Sequence, residues 1–357
     1  MAARIHARIV ARRPRRPVRS RGRARFIVSP LVASLALTIA VAGCGRPAAM
    51  GEADSLILVA DSELWSQVEQ ETYDALEPTL FTIRDEKKFY ITYVAPDGKE
   101  LEQLLLWKQI LIFGVPGDPL LEQVADAAGR DELNPPEIFQ TPSVWAMGQA
   151  VTVVVLEEGR EADSWRALLP ELAELLDHEY RLWALNRMWV SGVDTMLTAQ
   201  LQDRLGFGMN VPAVYEYQFR DQDLVVIRND NPDPSDLIRS ILVQRRPVTD
   251  SLDAALLFDW RAGVDSVHYS VPQSLEPAPG PGESIVINGV QGLEVRGAWR
   301  DESSYPAGGP FFVRALQCPH ATYFIDTWLY SPNPRRSKWQ YLMQLEEILG
   351  SFSCTQP

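Results

Sequence analysis

The chain has 357 residues, with 34 Lys and Arg against 47 Asp and Glu, a formal net charge of −13 and only three cysteines and four histidines. Such an excess of acid works against nucleic-acid binding, which depends on neutralising phosphates. No nucleic-acid partner is therefore expected.

The first 25 residues carry ten arginines and no acid, and Phe26 to Gly43 is uncharged and mostly apolar. A basic stretch before a short apolar one is the pattern of an export signal. Val41-Ala42-Gly43-Cys44 looks like a lipobox. The expectation is a signal peptide over residues 1–43, cleavage before Cys44, and lipidation of its thiol; the alternative is an uncleaved single-span anchor. More than one acyl chain gives stable anchoring. Gly45, rather than Asp, follows the cysteine, which by resemblance to enteric lipoproteins implies the outer membrane within the cell envelope. Losing the leader leaves 24 basic residues against 47 acids, a net −23.

Residues 44–55 are small and polar and read as a lipid tether. Leu56 to Ala60 reads as a buried strand, and Asp61 or Ser62 as the cap of a helix through Leu76. Further strands are expected at Phe89–Ala95, Ile110–Phe113 and Val151–Leu156, with helices from Lys99 and after Pro119. Glu161 to Leu205 reads as helical, broken near Pro170 and at Ser191-Gly192; its tryptophans are spaced for packing. A soft boundary near Gly206 divides an N-terminal α/β half (56–205) from a C-terminal half (206–357). The latter contains a hairpin over Val211–Phe219 and Leu224–Arg228, then a strand at Ile238–Val243 and a helix at Asp253–Val267. A Pro/Gly-rich loop, Gln273 to Gly282, precedes strands at Ser284–Ile287, Gly292–Arg300, Phe311–Leu316 and Tyr323–Tyr330. A helix from Ser337 closes the chain. The fold class is α+β: mixed strand and helix layers in two halves, the second mainly an antiparallel sheet closed by the C-terminal helix.

In the C-terminal third, Arg296-Gly297-Ala298-Trp299-Arg300, Gly308-Gly309-Pro310-Phe311, Asp326, Tyr330-Ser331-Pro332, Arg335-Arg336 and Leu345-Glu346-Glu347-Ile348 form a set. This set resembles the bacterial domain-of-unknown-function family 4837. Leu64-Trp65 and the Gly206–Pro212 junction fit as well, so the resemblance covers most of residues 56–352. It implies a lipoprotein-like chain and supplies no mechanism.

Phosphate-loop, nucleophile-elbow and zinc motifs are missing, and His178, His268 and His320 have no neighbour that makes them bases. Asn229 to Asp236 invites a calcium reading but lacks the glycine and distal glutamate of a calcium loop. No metal or cofactor is expected. Cys318 and Cys354 could pair outside the cytoplasm or remain separate thiols.

Between Arg296 and Lys338, basic residues outnumber acids, and alternation places Arg296 and Arg300 on one face, opposite Val295, Gly297 and Trp299. Arg296, Arg300, Arg314, Arg335 and Arg336, with backbone N–H groups of Gly308 and Gly309, are the candidate anion-binding set. The bland alternative is a turn with solvated or paired charges, such as Arg314 with Asp326. Two functions follow: a non-catalytic envelope module binding a protein or anionic ligand through this face, which is favoured, or an envelope hydrolase using Asp326 with a glutamate.

Overall fold

Apolar runs that need cover on both faces build the first sheet. The computed structural model describes residues 45–82, 85–230, 237–269, 273–275, 282–301, 307–332 and 337–355. The signal segment, Cys44, most of the loop weighed for calcium (231–236), and Arg335 and Arg336 lie outside the described residues.

The first half runs β1 (Ser55–Val59), α1 (Ser62–Leu76), β2 (Thr79–Phe81), β3 (Asp85–Lys87), β4 (Tyr90–Val94), α2 (Leu101–Leu104), β5 (Gln109–Gly114), α3 (Pro119–Ala128), β6 (Glu137–Pro142), β7 (Ala150–Val155) and α4 (Glu161–Met188). The sheet order is β4-β1-β5-β7-β6, parallel except for β6. Alternation sends Leu56, Leu58, Leu111 and Phe113 to one face, where Trp65 and Val68 of α1 and Trp165, Leu172 and Leu176 of α4 cover them. Ile57, Val59, Ile110 and Ile112 face the other way, onto Leu121 and Val124 of α3. Asp61 caps α1, its Oδ1 accepting from the Glu63 and Leu64 N–H groups at 2.8 and 3.2 Å.

Three expectations need correction. Pro170 sits inside α4 without ending it. Its exposed ring forfeits one backbone bond, about 3 kcal/mol, whereas burying Trp165, Leu169, Leu172 and Leu176 stabilises by roughly 1.5–3 kcal/mol each. The break falls only at a 3-10 turn, Trp189–Ser191. The helix expected from Lys99 is the four-residue α2. The expected tether is not free along its length: Ala49 N–H donates to the Met147 carbonyl, and Met50 exchanges backbone bonds with Leu106 and Lys108. Gly51, at φ +82°, lies so close to the Trp107 ring that no side chain would fit.

The second half runs α5 (Thr195–Leu205), β8 (Phe207–Gly208), β9 (Glu216–Phe219), β10 (Leu224–Asn229), β11 (Ile238–Arg246), α6 (Ala254–His268), β12 (Ser274–Leu275), β13 (Glu283–Ile287), β14 (Val290–Asp301), β15 (Ala307–Gln317), β16 (Thr322–Tyr330), α7 (Trp339–Gly350) and β17 (Ser353–Cys354). Eight strands form an antiparallel sheet in the order β12-β14-β15-β16-β11-β10-β9, with β13 also on β14. One face packs on α6 through Leu257, Trp260 and Val264. The other packs on α5 and α7 through Leu201, Leu205, Leu345 and Ile348. The fold is α+β, with an antiparallel C-terminal sheet. Beyond α7, β17 pairs with β8, and Cys354 forms a disulfide with Cys318 across a Cα–Cα distance of 5.7 Å.

Candidate functional site

The register of β14, β15 and β16 decides what the expected anion-binding residues can do. Arg296 and Arg314 share the sheet face toward α7. Their guanidinium groups stack on Phe312 at 5.2 and 5.0 Å. Glu294, almost fully buried, lies between them: Arg314 Nε donates to Oε2 at 2.6 Å and Arg296 Nε to Oε1 at 2.5 Å. Arg296 also bonds Glu346 of α7 at 2.7 Å. Lys338 is buried against Glu86, with Nζ–Oε1 at 2.8 Å. These three cations are therefore engaged by carboxylates. Arg300 is exposed on β14, where its carbonyl accepts from the Ser274 hydroxyl.

Gly308 and Gly309 are ladder residues opposite Arg300 and Trp299, not a turn. Gly309 is required because a Cβ there would run into the Leu329 carbonyl. The Arg314–Asp326 pairing does not occur. Asp326 stands opposite Val313 and Arg314 opposite Ile325, so the two side chains leave opposite faces.

Asp326 instead belongs to a buried network under α6. Its Oδ1 accepts from Arg261 Nε at 2.8 Å, and its Oδ2 accepts from the Tyr269 hydroxyl at 2.6 Å. Both the Arg261 and Asp326 side chains are wholly buried. Arg261 also donates to Gln273 Oε1 at 2.6 Å and stacks on Phe311 at 4.1 Å. The Gln273 N–H is held by both oxygens of Asp265. Burial raises the Asp265 carboxyl pKa against those backbone bonds. Burial, reinforced by the Asp326 charge, holds the Tyr269 hydroxyl well above its ordinary value, so it remains a donor. With both carboxylate oxygens occupied and no water access, Asp326 is placed to fix Arg261 and Tyr269 rather than to move a proton.

A cavity of about 180 Å³ opens over this network, lined by Trp299, Trp328, Tyr330, Tyr269, Arg228 and Asp301, among others. Its rings stand at steep angles: Trp299 to Trp328 at 73° and 5.4 Å between centroids, and Tyr269 to Trp328 at 77° and 5.5 Å. Arg228 lies over Trp328 at 5.6 Å and bonds Asp230 at 2.5 Å. The Trp299 indole N–H is buried with no acceptor among the described residues. The sequence placed Trp299 on the face opposite Arg296, yet nothing in it showed that Trp328, Tyr330 and Tyr269 would converge there from two other elements.

Two further cavities matter. At the carboxyl ends of β1 and β5, where chain order reverses and doubly wound sheets place ligands, a crevice of about 450 Å³ is lined by Asp61, Glu63, Asp118 and Glu161. Asp61, Asp118 and Glu161 each accept backbone N–H groups of their own loops. A third cavity, about 350 Å³, lies between the end of α4, β10, β11 and α7. Among the described residues, no cluster of three or more His, Cys, Asp or Glu is arranged to hold a metal ion, and no helix is long and apolar enough to cross a membrane.

Residues 194–351 match the family model described as "Domain of unknown function (DUF4837)". The match begins at the cap of α5 and takes in the whole antiparallel sheet; the first sheet lies outside it. No curated protein matches the chain. Among solved structures, a crystal structure from Bacteroides thetaiotaomicron VPI-5482 is similar at 12% identity and a TM-score of 0.24, covering 42% of this chain and 46% of that one. The chain thus spans less than half the length of that protein. The solution structure of cyanobacterial PsbP (CyanoP) from Synechocystis sp. PCC 6803 is similar at 13% identity and a TM-score of 0.28, covering 42% of this chain and 86% of that one.

Proposed function

We propose that this chain, whose residues 194–351 belong to the DUF4837 family, is a membrane-anchored envelope lipoprotein with a non-catalytic binding body. The anchor rests on sequence: a basic head, an apolar stretch and small residues before Cys44. The binding role rests on one observation, the aromatic-lined cavity of Trp299, Trp328, Tyr330 and Tyr269. Aromatic walls around a few polar groups are the make-up of ligand sites. At about 180 Å³ the cavity suits a small ligand or one group of a larger one. With both of its oxygens occupied, Asp326 favours the binding reading over a hydrolase that would use this residue.

Intact-mass analysis of the protein from its own host tests the anchor. A chain beginning at an acylated Cys44 is expected, and an unmodified thiol there rejects it. A photo-crosslinking residue at Ala307, on the cavity wall, tests the binding role in intact cells. Capture that disappears in Trp328→Ala but persists in Arg296→Ala is expected. Capture indifferent to Trp328 rejects the cavity.

A further inference from the structure

A short connection decides which end of the body meets the membrane. Pro47 stands three residues after Cys44, and three residues of fully extended chain span no more than about 10 Å. That is little more than one headgroup layer, roughly 5–7 Å on each side of the hydrocarbon. From Pro47 onward the chain is held to the body. The Pro47 carbonyl accepts from the Met147 N–H at 2.7 Å, the Ala49 N–H donates to the Met147 carbonyl at 2.9 Å, and Met50 exchanges backbone bonds with Leu106 and Lys108 at 2.9 and 2.8 Å. Lys108 and Met147 lie just before β5 and β7, so these bonds place residues 47–50 at the amino ends of the parallel strands.

The side chains set beside this connection are apolar. Met50 is 49% exposed and Met147 57%, and Trp107 and Trp145 are half-buried against the interior of the first sheet. Tryptophan favours the headgroup level of a bilayer, and methionine is a flexible apolar side chain that adapts to an irregular surface. Residues 47–51, 104–109 and 142–150 contain no Asp or Glu and include Lys108, in a body with about twice as many acids as bases. The exposed Glu52 and Glu102 stand just outside these runs.

We propose that Met50 and Met147 form the membrane-contacting face of the body, which rests on the bilayer that holds its anchor. The inference rests on the anchored reading given above. The acidic excess opposes close approach to anionic headgroups, so the contact is apolar and made with a neutral surface. The anchor supplies the high local concentration that so small a contact needs. The acid-lined crevice at the carboxyl ends of β1 and β5 then lies about 17 Å along the strands from the bilayer, toward water.

Methionine oxidation reads the contact residue by residue. Cys318 and Cys354 are bridged, so in the mature chain Cys44 is the one free thiol. It can be coupled to a maleimide-bearing phosphatidylethanolamine in phosphatidylcholine vesicles. The coupled chain, and the same chain capped with N-ethylmaleimide in solution, are oxidised with chloramine-T, an anion that stays in water, and each sulfoxide is followed by peptide mass spectrometry. On vesicles Met50 and Met147 should oxidise about fivefold more slowly than in the capped chain, the population ratio that burying their exposed halves supports. Met196, 66% exposed on α5 beside exposed Val193, should keep its rate. Met147→Asp should return Met50 to its solution rate. Because this anchor is made chemically, intact mass reports the native one separately, and the two readings can fail independently. Met50 and Met147 oxidising on vesicles at their solution rates overturns the proposal, as does protection of Met196 in their place. Slow oxidation already present in the capped chain and lost on dilution would put a second copy on this face, and overturns it too.

Discussion

Replacing Asp326 by alanine would leave the Arg261 guanidinium in a wholly buried position with Gln273 as its remaining described hydrogen-bond partner, and would strip the Tyr269 hydroxyl of its acceptor. Removing one partner of a buried pair costs about 3–5 kcal/mol, because the surviving charge stays desolvated. Unfolding entropy near 2.1 cal/mol/K per residue, over the compact unit of residues 47–357, gives roughly 0.65 kcal/mol/K. A loss of about 4 kcal/mol therefore lowers the melting temperature by about 6 °C.

The triple variant Arg261→Met, Asp326→Leu, Tyr269→Phe removes every charge and hydroxyl of the trio. It should return to within about 2 kcal/mol of the parent, since apolar replacement of a buried pair is close to neutral. Urea unfolding with a shared m-value reads both. If Asp326→Ala costs under about 1 kcal/mol, the pair is not desolvated as the structure has it. If the triple variant is as unstable as the single one, an orphaned charge is not the cause.

Converting Cys318 and Cys354 to serine opens a link spanning 36 residues and should cost about 4 kcal/mol in the chain-entropy model; equal unfolding midpoints for parent and variant would refute it. Gly309→Ala meets the Leu329 carbonyl and should destabilise by more than about 1 kcal/mol, whereas Gly45→Ala, with open space around it, should leave the urea midpoint in place. Asp177 forms an ion pair with Lys88 at 2.6 Å and accepts from Arg181 at 2.8 Å; burial opposes ionisation, but these two cations prevail and lower its pKa from its ordinary value. Its stabilisation is thus present above the unfolded value and lost as pH falls through the folded one. The stability gap between parent and Asp177→Asn should shrink in strong acid, and a constant gap would refute the assignment.

Contiguous apolar runs made much of this fold readable. Leu56 to Val59 and Ile110 to Phe113 announce strands buried on both faces, and Asp61 announces the helix that follows. By contrast, β6 places Ile138 and Phe139 side by side after two prolines, and β2 and β3 are three residues each, so neither has a period to detect. Pro170 misled because a local propensity was weighed without the four large side chains packing around it. The site was harder to read for a different reason. Alternation assigned Arg296 and Trp299 to opposite faces correctly, but it cannot set register, and register is what separates Arg314 from Asp326. The partner Asp326 does have is 65 residues away, on a helix that reads as ordinary core. Arg187 of α4 and Arg239 of β11 likewise line one cavity, which no local spacing records.

The 28-residue helix α4 serves two hydrophobic interiors: Trp165, Leu172, Leu176 and Tyr180 in one, and Met188 in the other. Helix α7 reciprocates, with Met343 in the first and Leu345, Ile348 and Leu349 in the second. Braced twice in this way, the sheets cannot swing apart without tearing both interiors. Heating should therefore produce a single calorimetric peak, although the chain's composition changes character midway.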